Sequence, residues 1–491
     1  MIAVAQLAGP QISWMAIAPV IALGLGAAIV LLIDVQWKPA TGRPLAATTG
    51  VILATAFVSA VVQWARLDGI DAASRRPFAG MVLIDGPGLL GTFVLVIIAA
   101  FGIALGWRLF ERLGRRRAEA LALVMLSTSG FILMAMSGHL MMTFLGLEIG
   151  SIALYVLAGI TRGHAKSDEA AMKYFLLGSV ASAIFIYGVA LTFAATGSLS
   201  IGGVSSYVSS TISLRPGVML LGVAMLVVGL TFKVSAVPFH AWAPDVYQGA
   251  PAGIVGFMAS AAKVGAFVAL WRILDVGFSA VDHTWGPVVA GISAVSMVLG
   301  AVLAVVQDDV RRMLAYSGVA HAGFILTGIV GGAGSIEGIW FYLAVYTLQL
   351  VGSFGVVAAV TGAVGSSSPI ATFAGLGRQQ PVLAGVFTTL LLGMAGLPLT
   401  SGFIAKFGVF RDAWEADYQW LVIVAVLASV IAFFFYLRVI VVMYMQEPED
   451  EAIATPSIVV RSALALVAVA TIVFGILPAP LLDLAGDALT R

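Results

Sequence analysis

The sequence predicts an all-α polytopic membrane protein with about fourteen transmembrane helices. Of the 491 residues, 61% are hydrophobic and only 10% are charged, whereas soluble proteins carry about 25% charged residues. The apolar residues form long runs, most of them near the roughly 20 residues that a helix needs to cross a bilayer. Two of these runs carry both a lysine and an interruption that contains proline. Paired interruptions of this kind are typical of the broken helices that line ion paths.

The predicted helices, numbered one to fourteen in chain order, span residues 14–33, 45–65, 81–106, 118–137, 140–160, 170–195, 217–236, 252–272, 287–306, 312–331, 337–363, 382–410, 419–445 and 457–482. Helix seven is interrupted near Pro238. The twelfth run is too long for one plain span and contains Gly393, Gly396, Pro398 and Gly402. We therefore predict that helices seven and twelve are both broken.

Helices four to eight and nine to thirteen form two sets of five. Because five is an odd number, the second set enters from the opposite face, and we predict two inverted five-helix repeats in which helices seven and twelve correspond. The predicted segments are an N-terminal three-helix segment (1–110), a first repeat (111–275), a second, inverted repeat (283–446) and a C-terminal helix fourteen (452–491).

The distribution of basic residues predicts the orientation. Each loop is numbered by the predicted helix that precedes it. The odd-numbered loops and the adjoining helix ends hold fifteen Lys and Arg residues, and the even-numbered loops with their helix ends hold six. Cytoplasmic loops carry the excess of Lys and Arg. We therefore expect the odd loops in the cytoplasm and both termini on the opposite side.

Three lysines and one glutamate lie deep inside apolar runs, where a charge costs about 2.5–3.5 kcal/mol on insertion scales. Lys233 precedes Pro238, and the carbonyl that this proline frees must face protein or water, so we expect a hydrated cavity beside the lysine. Glu148 is the only acidic residue well inside a span. A Glu148–Lys233 contact that forms and breaks would make the lysine hold and release a proton. A static salt bridge is the alternative. Lys263 has no acidic residue nearby in sequence, and we predict that it belongs to a relay. Lys406 follows the second break, and we predict that it is a terminal relay group; an interface lysine that reaches bulk water is the alternative.

The histidines leave more than one interpretation open. His321 lies inside helix ten, where a neutral imidazole could pass protons near pH 7 or fill the core. His240 follows the first break and could mark a proton entry or a turn. His139, at the start of helix five, has no role that the sequence assigns.

Several functions are excluded or lack support. The chain has no cysteine, which excludes disulfides and iron–sulfur clusters held by cysteine. It has no phosphate loop, dinucleotide fingerprint or nucleophile–base motif, and its net charge of +1 does not suggest nucleic acid. We expect no redox centre, cofactor or metal site in this chain.

Four stretches resemble the antiporter-like subunits of respiratory complex I, most closely subunit N: LGLEIGSIALYVLAG, SDEAAMKYFLLGSVASAIFIYG, VPFHAWAPDVYQGAP and LPLTSGFIAKFGVF. The resemblance runs from about residue 80 to 445. Two departures from the family pattern are Ala252–Gly253, where Thr/Ser–Pro is usual, and His139, where an acidic residue is usual.

The resemblance implies a membrane-arm subunit of a proton-translocating NADH–quinone oxidoreductase in the bacterial inner membrane. It implies a proton path through Glu148, Lys233, Lys263 and Lys406. NADH, FMN, iron–sulfur clusters and quinone would bind partner subunits, and the neighbours would be an M-type antiporter-like subunit, small membrane subunits and lipid. Two alternatives remain: the D-type subunit of a multisubunit sodium/proton antiporter, and a membrane scaffold whose buried charges only hold subunits together.

Overall fold

The computed structural model describes residues 13–38, 42–71, 74–161, 163–210, 216–332, 336–362, 367–448 and 455–490. Helices make up most of these residues. The α-helices are α1 Ala18–Trp37, α2 Arg43–Arg66, α3 Gly86–Leu105, α4 Trp107–Arg112, α5 Arg117–Ala135, α6 Leu140–Ala158, α7 Ala165–Thr196, α8 Ile201–Ser210, α9 Pro216–Lys233, α10 Trp242–Gly249, α11 Ala252–Trp271, α12 Asp282–Val305, α13 Val310–Val330, α14 Ile336–Thr361, α15 Leu376–Gln379, α16 Pro381–Ala395, α17 Ser401–Glu415, α18 Gln419–Met445, α19 Ile458–Ile476 and α20 Ala479–Thr490.

The predicted all-α membrane fold is confirmed. Among the described residues, thirteen helical segments are long and apolar enough to span a membrane. The remaining predicted span, helix twelve, is formed by α16 and α17 with a break between them. Both chain termini and residue 452, where we predict that the C-terminal segment begins, lie outside the described residues.

One predicted helix is shorter than expected. The fourteenth apolar run, predicted over 457–482, ends as α19 at Ile476 and resumes as α20 at Ala479. Pro478 and Pro480 stand at this junction. Pro478 has no backbone N–H to donate to the preceding turn, so α19 cannot continue through it. Pro480 lies in the first turn of α20, where that N–H has no helical partner in any case.

The two predicted breaks are present and have local causes. α9 ends at Lys233. The chain then passes through an unwound segment in which Val237 precedes Pro238. α16 ends at Ala395 and is followed by Gly396, whose φ of 85° is left-handed, a conformation that glycine adopts without steric cost. Pro398 follows and prevents α16 from resuming. Each break leaves backbone carbonyls without their helical partners, and these must be satisfied by protein or water.

The breaks lie beside the most buried helices. Every residue of α11 is buried, and α13 and α14 are buried along nearly their whole length. By contrast α1, α18 and α19 expose much of their apolar surface, as helices in contact with lipid do. Close approach of small residues draws the interior helices together: a Cβ on Gly130 of α5 would lie only 2.3 Å from the Gly150 nitrogen of α6.

Candidate functional site

Lys263 binds a backbone carbonyl that the first helix break leaves without its helical partner. In an unbroken helix the Val234 carbonyl would accept from the amide of residue 238, but Pro238 has none. Lys263 Nζ donates to the Val234 carbonyl instead, at 2.9 Å. Lys263 is only 1% exposed. Among the described residues, the Val234 carbonyl dipole is therefore the main group that offsets the loss of water around its amine.

Lys233 ends α9 and lies in an aromatic pocket. Its Nζ donates to the Tyr174 hydroxyl at 2.9 Å. The same nitrogen lies 4.8 Å from the ring centre of Tyr174, 5.4 Å from that of Tyr155 and 5.9 Å from that of Phe131. Desolvated cation–π contacts of this kind stabilise an ammonium by about 2 kcal/mol or more. Among the described residues, the Lys233 amine therefore contacts one hydroxyl and three aromatic rings and has no direct carboxylate partner.

Glu148 lies near Lys233 but does not bind it. The glutamate projects from α6, is half-buried and accepts a hydrogen bond from Ser182 of α7. Among the described residues it forms no ion pair with Lys233 within 4.0 Å. In this conformation the predicted Glu148–Lys233 contact is open, with both groups held by neutral hydroxyls.

Lys406 repeats the arrangement of Lys263 at the second break. Its Nζ donates to the carbonyl of Ala395, the last residue of α16, at 2.9 Å. It also donates to Ser429 Oγ at 3.2 Å and lies 4.5 Å from the ring centre of Phe324. A lysine ammonium thus stabilises the unsatisfied carbonyl end of a broken helix at both breaks.

His321 lies among tyrosine side chains, and Lys263 and Lys406 lie close enough to act on its ring electrostatically. Its Nδ1 is 2.9 Å from the Tyr342 hydroxyl and its Nε2 is 3.3 Å from the Tyr436 hydroxyl. A neutral imidazole donates at one nitrogen and accepts at the other, so the ring can relay a proton between two hydroxyls.

A small gap separates Lys263 from the ring system around His321. Tyr346 stacks on His321 with ring centres 4.1 Å apart, and its buried hydroxyl has no hydrogen-bond partner among the described residues. A Cβ built on Gly318 would lie 3.5 Å from this hydroxyl and 3.7 Å from Lys263 Nζ. Because buried hydroxyls are normally satisfied, this gap suits an ordered water between two polar groups.

Two other histidines, His139 and His240, lie outside this chain of contacts. His139 caps α6, since its Nδ1 accepts from the Met141 amide at 3.3 Å, and burial lowers its pKa, which favours the neutral, accepting ring. His240 lies beyond the first break with a buried Nδ1 that has no partner among the described residues. Its role as a proton entry stays a prediction.

An ion cluster holds α10, the short helix after the first break. Asp245 binds Lys173 of α7 at 2.6 Å and Arg312 of α13 at 2.7 Å. Burial alone would raise the pKa of Asp245, but the hydrogen bonds from these two cations lower it below its ordinary value. The carboxylate therefore ties α10 to both α7 and α13.

The tyrosines of this site were not predicted from the sequence. Tyr174, Tyr342, Tyr346 and Tyr436 are all fully buried, and three of them bind Lys233 or His321 directly. Their signal was a phenol inside an apolar run, which also fits ordinary packing. In the described ranges no three His, Asp or Glu side chains come together as a metal site.

Comparison with known proteins gives consistent matches. Residues 137–432 match the family model described as NADH:quinone oxidoreductase/Mrp antiporter, transmembrane. The chain is 40% identical over 512 residues to a protein of Parafrankia sp. named NADH-quinone oxidoreductase subunit N, covering 98% of this chain and 96% of the other. It is 45% identical over 386 residues to the protein of the same name from Mycobacterium tuberculosis, covering 77% and 72%.

Solved structures show the same similarity. A chain of respiratory complex I from Thermus thermophilus with bound aureothin has a TM-score of 0.80 and 30% identity, covering 95% of this chain and 98% of that one. A chain of the Mrp complex from Dietzia has a TM-score of 0.83 but only 20% identity, covering 97% of each chain. This second match demonstrates a shared fold alone.

Proposed function

Because this chain belongs to the NADH:quinone oxidoreductase/Mrp antiporter transmembrane family, as one of the NADH-quinone oxidoreductase subunit N proteins, we propose that its buried Glu148, Lys233, Lys263, His321 and Lys406 carry protons across the membrane. The enzyme is a proton-translocating complex, and other membrane subunits are partners of this chain. Electron transfer from NADH to quinone in partner subunits would drive the relay. We propose that this chain itself holds no redox cofactor and that both of its termini are periplasmic.

The observation that carries the proposal is the pairing of a lysine with a freed carbonyl at each helix break. An ammonium has three donors, and the Val234 and Ala395 carbonyls each use only one. A neutral amine still has two N–H donors, so each lysine can release a proton and keep its bond to the helix end. The lysines can therefore change charge while the two breaks remain intact.

The order of groups defines the route that we propose. Glu148 and Lys233 form the first pair, and the hydroxyls of Ser182 and Tyr174 hold each group while they are apart. Lys263 continues the route from the other side of the same break. Since like charges close together in a low-dielectric interior repel strongly, a proton that arrives on one lysine favours release from the next.

His321 connects the two halves of the route. It lies on α13, close enough to both Lys263 and Lys406 to interact with them electrostatically. Each of its ring nitrogens has a tyrosine hydroxyl within hydrogen-bond distance. An ordered water in the gap beside Gly318 would bridge Lys263 and the Tyr346–His321 stack. A proton that leaves Lys263 could thus reach Lys406 through groups that can each both accept and donate.

Replacement of Lys233 by methionine in the assembled complex tests the proposal. Lys233→Met keeps most of the side-chain volume but cannot hold a proton, so we expect fewer protons pumped per NADH oxidised. The matched control is Lys166→Met, because Lys166 is exposed outside the apolar core. The measurement is proton uptake by inverted membrane vesicles alongside NADH oxidation. Unchanged stoichiometry in an assembled Lys233→Met complex would show that the relay assignment is wrong.

A further inference from the structure

We propose that Asp412 is the outlet of the proton path, receiving protons from His321 through Tyr342 and releasing them at the membrane face where α17 ends. This inference rests on the proposed function and adds the step that the sequence left open.

Asp412 is a buried carboxylate with one oxygen unsatisfied. Its side chain is 7% exposed, and one oxygen binds the guanidinium of Arg411 at 3.0 Å. The other oxygen, Oδ2, is buried and has no hydrogen-bond partner among the described residues. An unpaired buried carboxylate oxygen is costly, and a proton or a water on this oxygen would remove the cost.

Glycines create the space that this carboxylate occupies. A Cβ on Gly338 of α14 would lie 3.0 Å from Asp412 Oδ2, and the Cα of Gly338 lies 3.5 Å from the Cβ position of Gly408 on α17. The two helices can approach closely here because neither residue has a side chain. The free oxygen therefore points at the surface of α14.

The same surface of α14 leads to His321. Gly338 and Tyr342 are four residues apart, so they share one face of the helix and are separated by about 6 Å along its axis. Helical side chains lean toward the helix N-terminus, which brings the Tyr342 ring toward Gly338. The Tyr342 hydroxyl is 2.9 Å from His321 Nδ1. Tyr342 is therefore the group that stands between the relay and Asp412.

The proton step balances without an added reactant. The His321 ring, recharged by the proton that leaves Lys263, gives the proton on Nδ1 to the Tyr342 oxygen while the Tyr342 hydroxyl proton passes by way of water to the Asp412 carboxylate. Asp412 then gives the proton to water outside. Tyr342 and Asp412 each end the cycle as they began it.

Charged groups at the end of α17 make release favourable. Arg411, 56% exposed on its side chain, stabilises the Asp412 carboxylate after the proton has left. Glu415 of α17 acts on both Arg411 and Asp412, and Glu337 of α14 acts on Arg411. These are the charged groups that face Asp412 from the two helices, and the two glutamates provide exposed or half-exposed acceptors near the surface.

The experiment compares Asp412→Asn with Asp417→Asn in the assembled complex. Asparagine keeps the shape of the side chain but cannot ionise. Asp417 is an exposed acid on the same side with a φ of 66°, a conformation that asparagine tolerates. We expect Asp412→Asn to lower the number of protons pumped per NADH to the level of Lys233→Met. The double variant Lys233→Met/Asp412→Asn should pump no fewer protons than either single variant. Asp417→Asn should match the wild type.

The outcomes separate this inference from the proposed function. If Asp412→Asn assembles and pumps like the wild type while Lys233→Met is impaired, the outlet is wrong and the relay stands. If both pump normally, the relay itself is wrong. If Asp412→Asn does not assemble, the wild-type complex decides: modification of Asp412 by a hydrophobic carbodiimide with loss of pumping supports the outlet, and full pumping after modification overturns it.

Discussion

Substitution of Gly318 by alanine would fill the gap between Lys263 and Tyr346 without straining the helix. The new methyl group would lie 3.5 Å from the Tyr346 hydroxyl and 3.7 Å from Lys263 Nζ, which are ordinary van der Waals contacts. It would exclude the water that we place there. Loss of a hydrogen bond to a charged group costs about 1.5–3 kcal/mol, so we expect transfer across this gap to be about ten- to a hundredfold slower.

The control for Gly318→Ala is Gly291→Ala on α12, where a Cβ would meet nothing within 4 Å. Both substitutions replace glycine inside a helix, and both should stabilise that helix by about 1 kcal/mol. Proton uptake by inverted vesicles, measured per NADH oxidised, should fall for Gly318→Ala and stay at the wild-type value for Gly291→Ala. Equal proton uptake in the two variants would refute a water-mediated step between Lys263 and His321.

Two further predictions concern the hydroxyl that binds Lys233 and the carboxylate that fixes α10. Tyr174→Phe removes the hydroxyl that binds Lys233 and should cost about 1.5–3 kcal/mol at this buried ammonium, which proton uptake by vesicles would register as a loss while assembly persists; full uptake would contradict a role for the hydroxyl. Asp245→Asn removes a carboxylate whose pKa two cations lower, so the wild type should be the more stable above pH of about 4, the ordinary aspartate value, and should lose that advantage as the pH falls through the lowered pKa. Thermal unfolding of both proteins across pH would measure the difference, and a gap that does not narrow in acid would contradict it.

The local features of the fold could be predicted because each has a local cause. Lipid cannot satisfy backbone groups, so an apolar run of sufficient length has to be a helix. Pro238 and Pro398 remove amide donors, and both helices end before them. The run near Pro478 was misjudged because its apolar composition continues through a proline that ends the helix.

The contacts of the site could not be read from the chain in the same way. Hydropathy identified Lys233, Lys263 and Lys406 as buried cations, but it did not say what each one binds. The expected Glu148–Lys233 contact is open, because Lys233 turns toward Tyr174 and Glu148 toward Ser182. Which groups meet depends on how each helix is rotated and how closely its neighbours approach.

The sequence by itself determined the membrane fold, the two breaks and the buried charges, since these follow from length, composition and the chemistry of proline. Only the tertiary structure decided that Lys263 completes the break in a different helix, that His321 lies between two tyrosine hydroxyls, and that Asp412 has a free oxygen facing α14. The physical reason is that a hydrogen bond needs its two atoms within about 3 Å. Residues far apart in the chain reach that distance only through helix packing.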